Sequence, residues 1–231
     1  MPAWTVLCDF DGTIAVDDVT DVLLSRFARP EWEQIERDWR AGRIGSRECM
    51  TAQVALIDAS RDELDAVLDT LAIDPAFPAF VADARARGMA VQVVSDGLDY
   101  AITRILTRHG LSDLPIRANA LVHDGARSWS MRSPFARASC AADSGTCKCS
   151  IARERSTTLL VGDGQSDFCV AGRAHYVFAK HRLITHCRQA GIPHRPIEGF
   201  REARALLADL PWLAGTAAAP SEPLPLRVHV A

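Results

Sequence analysis

Three short apolar runs in this chain each break off into a turn dense in polar residues. Trp4–Cys8 runs into Asp9-Phe-Asp-Gly-Thr13, Met89–Val94 into Ser95-Asp-Gly97, and Thr157–Val161 into Gly162-Asp-Gly-Gln-Ser-Asp167. Such short, β-prone runs read as strands. Their polar ends all follow the run, and a parallel sheet gathers such ends at one edge. Parallel neighbours need crossover connections, so helices must return the chain between them. The intervening stretches have that spacing. Phe77–Arg87 is closed by Gly88 and Leu98–His109 by Gly110, and a helix starts near Lys148. A helix near Phe168, a strand at Tyr176–Phe178 and helices at Leu183–Ala190 and Phe200–Leu207 follow. Ile116–His123 and Arg127–Met131 flank Asp124-Gly125 as a hairpin. The predicted fold class is α/β: a doubly wound, mostly parallel, Rossmann-like sheet with helices on both faces.

From Asp17 to Asp74 no strand candidate interrupts a helical pattern. Pro30-Glu31 predicts a helix start with Trp32, Ile35 and Trp39 on one stripe, to be buried as cap core. Ser46 is expected to cap the next helix, and Ser60 with Glu63 forms a capping-box pattern. The expected organisation is a core domain over 1–16 and 75–211, a helical cap over 17–74, and a loosely held Ala- and Pro-rich tail over 212–231.

Composition narrows the function classes. With 231 residues, 48% of them hydrophobic, the chain can bury a core without a metal or disulfide staple. Its 26 basic and 29 acidic residues give a net charge of −3, which argues against a nucleic-acid or membrane-surface protein. The Met1-Pro-Ala-Trp4 start lacks a basic n-region and no apolar run is long enough to span a bilayer, so neither a signal peptide nor a membrane span is expected. Seven cysteines without framework spacing predict reduced thiols and a cytoplasmic location. Cys147 and Cys149 flank Lys148 with Cys140 farther off, but this is not the Cys-x-x-Cys spacing of zinc sites.

Gathered at one sheet edge, the turns and Lys148 would supply four carboxylates (Asp9, Asp11, Asp163 and Asp167), the Ser95 hydroxyl, a lysine and free N–H groups. Clustered carboxylates repel unless a cation sits among them. Hard oxygen donors without histidine suit Mg²⁺. The hydroxyl, the lysine and the N–H groups suit a phosphate. Together these make a phosphoryl-transfer site with an aspartate nucleophile.

Asp9-Phe-Asp-Gly-Thr-Ile14, Ser95, Lys148 and Gly162-Asp-Gly-Gln-Ser-Asp167 resemble, in order and spacing, the four motifs of the haloacid-dehalogenase superfamily. The insert at 17–74 resembles the C1-type helical cap of its phosphoserine-phosphatase-like branch. Pro30-Glu-Trp32, Ser95-Asp-Gly-Leu-Asp-Tyr100, Gly145-Thr-Cys-Lys148 and Phe178-Ala-Lys-His-Arg-Leu183 are similar to the phosphatases of methionine salvage. Those act on 2-hydroxy-3-keto-5-methylthiopentenyl-1-phosphate. The resemblance covers Trp4 to Leu210. It implies that Asp9 is the nucleophile and that Asp11 protonates the leaving oxygen and then activates water. It implies that Mg²⁺ is held by Asp9, Asp163, Asp167 and the Asp11 carbonyl, that Ser95 with the neighbouring Gly97 holds the phosphoryl group, and that Lys148 neutralises charge.

The resemblance places Asp18 at an acidic substrate-binding position of phosphoserine phosphatases, and Gln53 where they carry a carboxylate-gripping arginine. Asp21 and Arg43 are further cap candidates. Asp96 has two readings, a substrate contact or a helix-capping carboxylate, and Ser95 is expected to cap the following helix as well as face phosphate. The expected substrate is a small phosphate ester, with the methylthio enol phosphate leading and phosphoserine, phosphocholine or phosphoethanolamine as alternatives. Asp17, Asp18 and Asp21 could attract a cationic group. A receiver-type phospho-aspartate switch or a binding-only relative would share part of this chemistry. The former lacks an inserted cap, and the latter would be expected to have lost a motif. The partner expectation is a small molecule alone, with the protein a monomer or homodimer.

Overall fold

The computed structural model describes residues 4–154 and 157–210, so the tail expected over 212–231 lies outside the described residues. The strands are β1 (Thr5–Cys8), β2 (Ala90–Leu98), β3 (Ile116–Gly125), β4 (Ser128–Arg132), β5 (Thr158–Gly162), β6 (Tyr176–Ala179) and β7 (His194–Pro196). They form one sheet in the order β4-β3-β2-β1-β5-β6-β7, in which only the β3–β4 hairpin is antiparallel. The strand order reverses at β1, between β2 and β5. In open α/β sheets ligands bind outside the carboxyl ends of the strands at such a switch point. β7 escaped the sequence reading: its three residues, His-Arg-Pro, carry no apolar run, and an edge position tolerates the proline.

Alternation along the strands divides the core in two. Val6, Cys8, Val91, Val93, Leu159, Val161 and Phe178 face one cluster. Leu7, Val94, Leu160, Val177 and Ala179 face the other. The helices α5 (Phe77–Ala86), α6 (Asp99–Arg108) and α10 (Phe200–Leu206) cover the first face. The second is covered by α7 (Lys148–Arg153), α8 (Phe168–Ala171) and α9 (His181–Ala190).

The insert between β1 and β2 contains α1 (Val19–Phe27), α2 (Trp32–Arg40), α3 (Ser46–Val54) and α4 (Arg61–Leu68). Its two connections to the sheet run side by side: Ala15 bridges Ile73, and the Val16 N–H donates to the Ala72 carbonyl at 3.1 Å. Ser60 and Glu63 form the expected capping box. Ser46 does not cap α3; it is the first residue of that helix, and its hydroxyl is spent elsewhere. The insert is not cored separately. Leu23 and Leu24 of α1 and Leu64 and Leu68 of α4 join the cluster that contains Val93 and Phe178. α3 joins it through Val54, whereas α2 stands farther off. α2 has no fully buried residue, and its Trp32, Ile35 and Trp39 stripe, expected as core, is half-buried. The β3–β4 hairpin props the insert: Trp129 Nε1 donates to the Ala59 carbonyl at 2.8 Å, and Arg127 Nη1 pairs with Glu63 at 2.7 Å. Among the described residues no helix is long and apolar enough to cross a membrane.

Candidate active site

Asp9 follows β1 at the switch point. Its backbone N–H still belongs to the sheet, donating to the Val161 carbonyl at 2.9 Å. Its side chain is almost wholly buried. Oδ1 accepts from the Phe10 N–H at 2.8 Å and from Lys148 Nζ at 2.8 Å, whereas Oδ2 meets only the Ser166 hydroxyl, at 3.4 Å. Oδ2 is therefore the less committed oxygen. Burial, then the charge of Asp167, push the Asp9 carboxyl well above its ordinary range, against the pull of Lys148.

The chain then turns sharply. The Thr13, Ile14 and Ala15 N–H groups all donate to the Phe10 carbonyl, and Gly12 takes φ +67°. A Cβ on Gly12 would stand 2.8 Å from Asp163 Oδ2, so a side chain is barred by space as well as by conformation. Thr13 Oγ1 donates to Asp163 Oδ1 at 2.9 Å, which fixes that carboxylate. Lys180, half-hidden in the sequence behind β6, reaches across to the Gly12 carbonyl at 2.9 Å and holds the turn.

Lys148 is the first residue of α7 and is 4% exposed. Its ammonium contacts Asp9 Oδ1, Asp167 Oδ1 at 2.7 Å and Ser166 Oγ at 3.0 Å. These anions raise its pKa despite the opposing cost of burial, so it stays charged. Asp167 is fully buried, with Oδ2 accepting from the Asp163 and Gly164 N–H groups at 3.0 and 3.3 Å.

Three of the four predicted carboxylates converge. Oxygens of Asp9, Asp163 and Asp167 lie within 4.8 Å of one another, the one group so placed to hold a metal ion among the described residues. Two members are buried, all donors are hard oxygens, and burial and mutual repulsion raise the Asp163 pKa as well as that of Asp9. A small divalent cation such as Mg²⁺ fits this set. The Asp11 carboxylate does not join it, because the turn directs it toward the insert. There Oδ1 accepts from the Val19 N–H at 2.8 Å, at the start of α1. Burial, then the charge of Asp18, push its pKa up to about 8. Gly97 lets Asp11 approach: a Cβ there would stand 2.4 Å from Asp11 Oδ2.

Ser95 is buried beyond the regular part of β2, where the register to β3 shifts between Val94 and Leu98. Its oxygen accepts from the Gly97 N–H at 2.9 Å, which leaves the hydroxyl proton to donate. It does not cap α6, whose N-cap is Leu98. Asp96 does not cap that helix either; its carboxylate is bonded to Ser46 and Thr146.

The insert side of the cleft is acidic. Asp18 accepts from the Asp21 N–H at 3.0 Å as the N-cap of α1. Asp21 is open to solvent but crowded by protein; desolvation, then the charges of Asp18 and Glu36, push its pKa up to about 6. Gln53 is buried, and its Nε2 donates to Glu36 Oε2 at 3.0 Å. Arg43 is turned away, paired with Asp38. Glu36 and Asn119 were missed in the sequence, each a single residue within a regular element with no motif spacing to mark it; Lys180 lies in the Phe178–Leu183 motif, which carried no role for it. Cys140, Cys147, Cys149 and Cys169 line a small cavity beside Lys148, and all seven cysteines are unbridged.

Residues 6–172 match the profile of the haloacid dehalogenase-like hydrolases. The chain is 30% identical over 208 residues to a 2-hydroxy-3-keto-5-methylthiopentenyl-1-phosphate phosphatase of Exiguobacterium sp., covering 87% of this chain and 96% of that protein. It is 31% identical to the protein of the same name from Geobacillus thermodenitrificans, covering 84% and 91%. Among solved structures it is similar to a phospho-aspartyl intermediate analogue of phosphoserine phosphatase, with TM-score 0.67, 21% identity, and 92% and 99% of the two chains covered. A HAD family hydrolase from Salmonella enterica gives TM-score 0.68 at 19% identity, covering 90% of this chain and 71% of that one.

Proposed function

The chain belongs to the haloacid dehalogenase-like hydrolase family as a phosphatase, and from that premise we propose that it hydrolyses a small phosphomonoester through a phospho-aspartate on Asp9. The observation that carries this reading is the division of labour between Asp9 and Asp11. One is pinned beside a buried lysine with an oxygen to spare; the other stands apart with a pKa near 8. Asp9 Oδ2 attacks phosphorus as the bond to the leaving oxygen breaks, and Asp11, protonated at neutral pH, gives that oxygen its proton. Asp11, now a carboxylate, takes a proton from water, which attacks phosphorus and releases Asp9. The Ser95 O–H donates to the phosphoryl oxygens, and Lys148 offsets their charge. Mg²⁺ held by Asp9, Asp163, Asp167 and the Asp11 carbonyl would supply further neutralisation of that charge.

The insert over 17–74 is the cap that reads the leaving group. Gln53 can hydrogen-bond a hydroxyl or carbonyl but cannot neutralise a carboxylate, and the neighbouring Asp18, Asp21 and Glu36 repel one. This counts against phosphoserine. A hydroxy- or keto-bearing phosphate is the favoured class. The methylthio enol phosphate leads it, because the curated relatives carry that name. The same acidic side favours a second reading, an amine-bearing ester such as phosphocholine or phosphoethanolamine. A small soluble ester and unbridged thiols suit a cytoplasmic enzyme, monomeric or homodimeric. The test is Mg²⁺-dependent turnover of a phosphometabolite panel scored by kcat/KM. Highest activity on the keto ester supports the first reading and highest activity on phosphocholine the second. Absence of turnover on every ester, p-nitrophenyl phosphate included, rejects both.

A further inference from the structure

Asp96 follows Ser95 in the bulged stretch of β2, yet its carboxylate takes part in neither the metal cluster nor a helix cap. Oδ1 accepts from the Thr146 N–H at 2.9 Å and from Asn119 Nδ2 at 3.3 Å. Oδ2 accepts from the Ser46 hydroxyl at 2.9 Å. Asn119, fully buried on β3, also donates to the Asp96 carbonyl at 2.6 Å. Three protein donors thus occupy most of the roughly four acceptor positions of this carboxylate. Four segments meet on it: the Ser95 bulge, β3, the loop two residues before Lys148, and the first turn of α3.

Only the last of these belongs to the insert. α3 also touches the same loop through the Arg47 N–H, which donates to the Asp143 carbonyl at 3.0 Å, and through an Arg47–Asp143 ion pair. That pair has side chains 47% and 51% exposed, so it is weak. The Ser46–Asp96 bond is charge-assisted and half-buried, which makes it the stronger tie. The first turn of α3, which carries Ser46, is half-buried to exposed, and α2 packed against α3 has no fully buried residue, so this end of the insert is the part that lifts most easily.

We propose that Asp96 is a positioning residue that couples the seating of α3 over the site to the placement of Lys148, a link that rests on the phosphatase reading above. With α3 seated, Ser46 holds Oδ2 and the carboxylate is fixed against Thr146. With α3 lifted, Oδ2 loses its partner, the carboxylate is free to rotate, and the Thr146 N–H loses its anchor. The loop then loosens two residues from an ammonium that must stay within hydrogen-bond reach of both Asp9 and Asp167. The lysine is therefore best placed only when the insert is closed on its substrate.

A double-mutant cycle of Ser46→Ala and Asp96→Ala tests this, with kcat and KM measured on p-nitrophenyl phosphate in Mg²⁺ and competitive inhibition by inorganic phosphate as a binding readout. Asp96→Ala should lower kcat by about tenfold and weaken phosphate inhibition in parallel. Ser46→Ala should cost about threefold, and that cost should vanish in the Asp96→Ala background. Asp96→Asn, whose amide can still accept from Thr146 and pair with Ser46, should recover most of the loss. If Asp96→Ala does not fold, the cycle run with Asp96→Asn should show a smaller Ser46→Ala cost than in wild type. Independent, multiplying losses, or a rise in KM with kcat unchanged, would overturn the coupling while leaving the phosphatase reading intact. A wild-type protein inactive on every phosphomonoester would overturn that reading, and the coupling with it.

Discussion

The Lys148 ammonium stands 2.8 Å from Asp9 Oδ1, and the two side chains are only 4% and 6% exposed. A buried pair of this kind punishes the loss of either partner, because the other is left charged and dry; the usual cost is about 3–5 kcal/mol. Lys148→Met should therefore lower Tm sharply in metal-free buffer as well as abolish turnover. Mg²⁺ should restore part of the Tm, since a cation can replace the ammonium among the carboxylates. Unchanged metal-free Tm would show that the pair carries no such strain. Asp9→Asn, which keeps the shape and leaves Lys148 paired with Asp167, should abolish turnover with a much smaller change in Tm.

Asp11 should matter in proportion to how badly the leaving group needs a proton. Asp11→Asn should slow hydrolysis of alkyl phosphates by about 10²–10⁴-fold. The loss should be far smaller for p-nitrophenyl phosphate, whose leaving oxygen departs readily as an anion. Equal losses on the two substrates would remove Asp11 from the acid role.

Stability of the metal-free protein should fall as pH rises. The carboxyls of Asp9 and Asp163 are pushed up, Asp21 to about 6 and Asp11 to about 8. Groups raised above their unfolded values stabilise the fold fully below about pH 4, and that contribution is lost as pH rises through the folded values. Tm in EDTA should decline between about pH 5 and pH 8.5, and Mg²⁺ should raise Tm more at the upper end. A Tm in EDTA that climbs across this interval would contradict the crowding of these acids.

Gln53 and Glu36 make a paired prediction about selectivity. On its own, Gln53→Arg would place a guanidinium against Glu36, which already holds the Gln53 amide. It should do little for phosphoserine. Combined with Glu36→Gln, the same change should raise the phosphoserine preference, measured as the ratio of kcat/KM values against the favoured ester. A full switch from the single substitution would mean that Glu36 is not the intercepting charge.

Much of this site was readable because its groups follow strands. Asp9, Ser95 and Asp163 each end or follow an apolar run, and that placement carries to one sheet edge whatever the helices do. Orientation was less legible. The turn closes on the Phe10 carbonyl and ties Asp11 Oδ1 to the Val19 N–H, so the Asp11 carboxylate stays outside the group formed by Asp9, Asp163 and Asp167. Ser46 reads as a helix cap, and Asp96 as a cap or a substrate contact, because a short polar residue before a helix usually caps it. Instead they bond each other across fifty positions of sequence, which no local pattern encodes. β7 and the role of Lys180 were illegible for a related reason: an edge strand with two polar residues and a buried lysine acquire meaning only from neighbours distant in the chain.

The position of β1 has a consequence for the order in which the molecule assembles. It is the first strand in the chain and the centre of the sheet, yet its partners start at Ala90 and Thr158, whose residues pair with Thr5. Both ladders close long loops before any contact rewards them, which slows formation of the sheet. On the ribosome the surroundings of Asp9, at the end of β1, are complete only once the chain has emerged past Asp167. The helices of the insert, whose α2–α3 contacts are local, are free to form meanwhile.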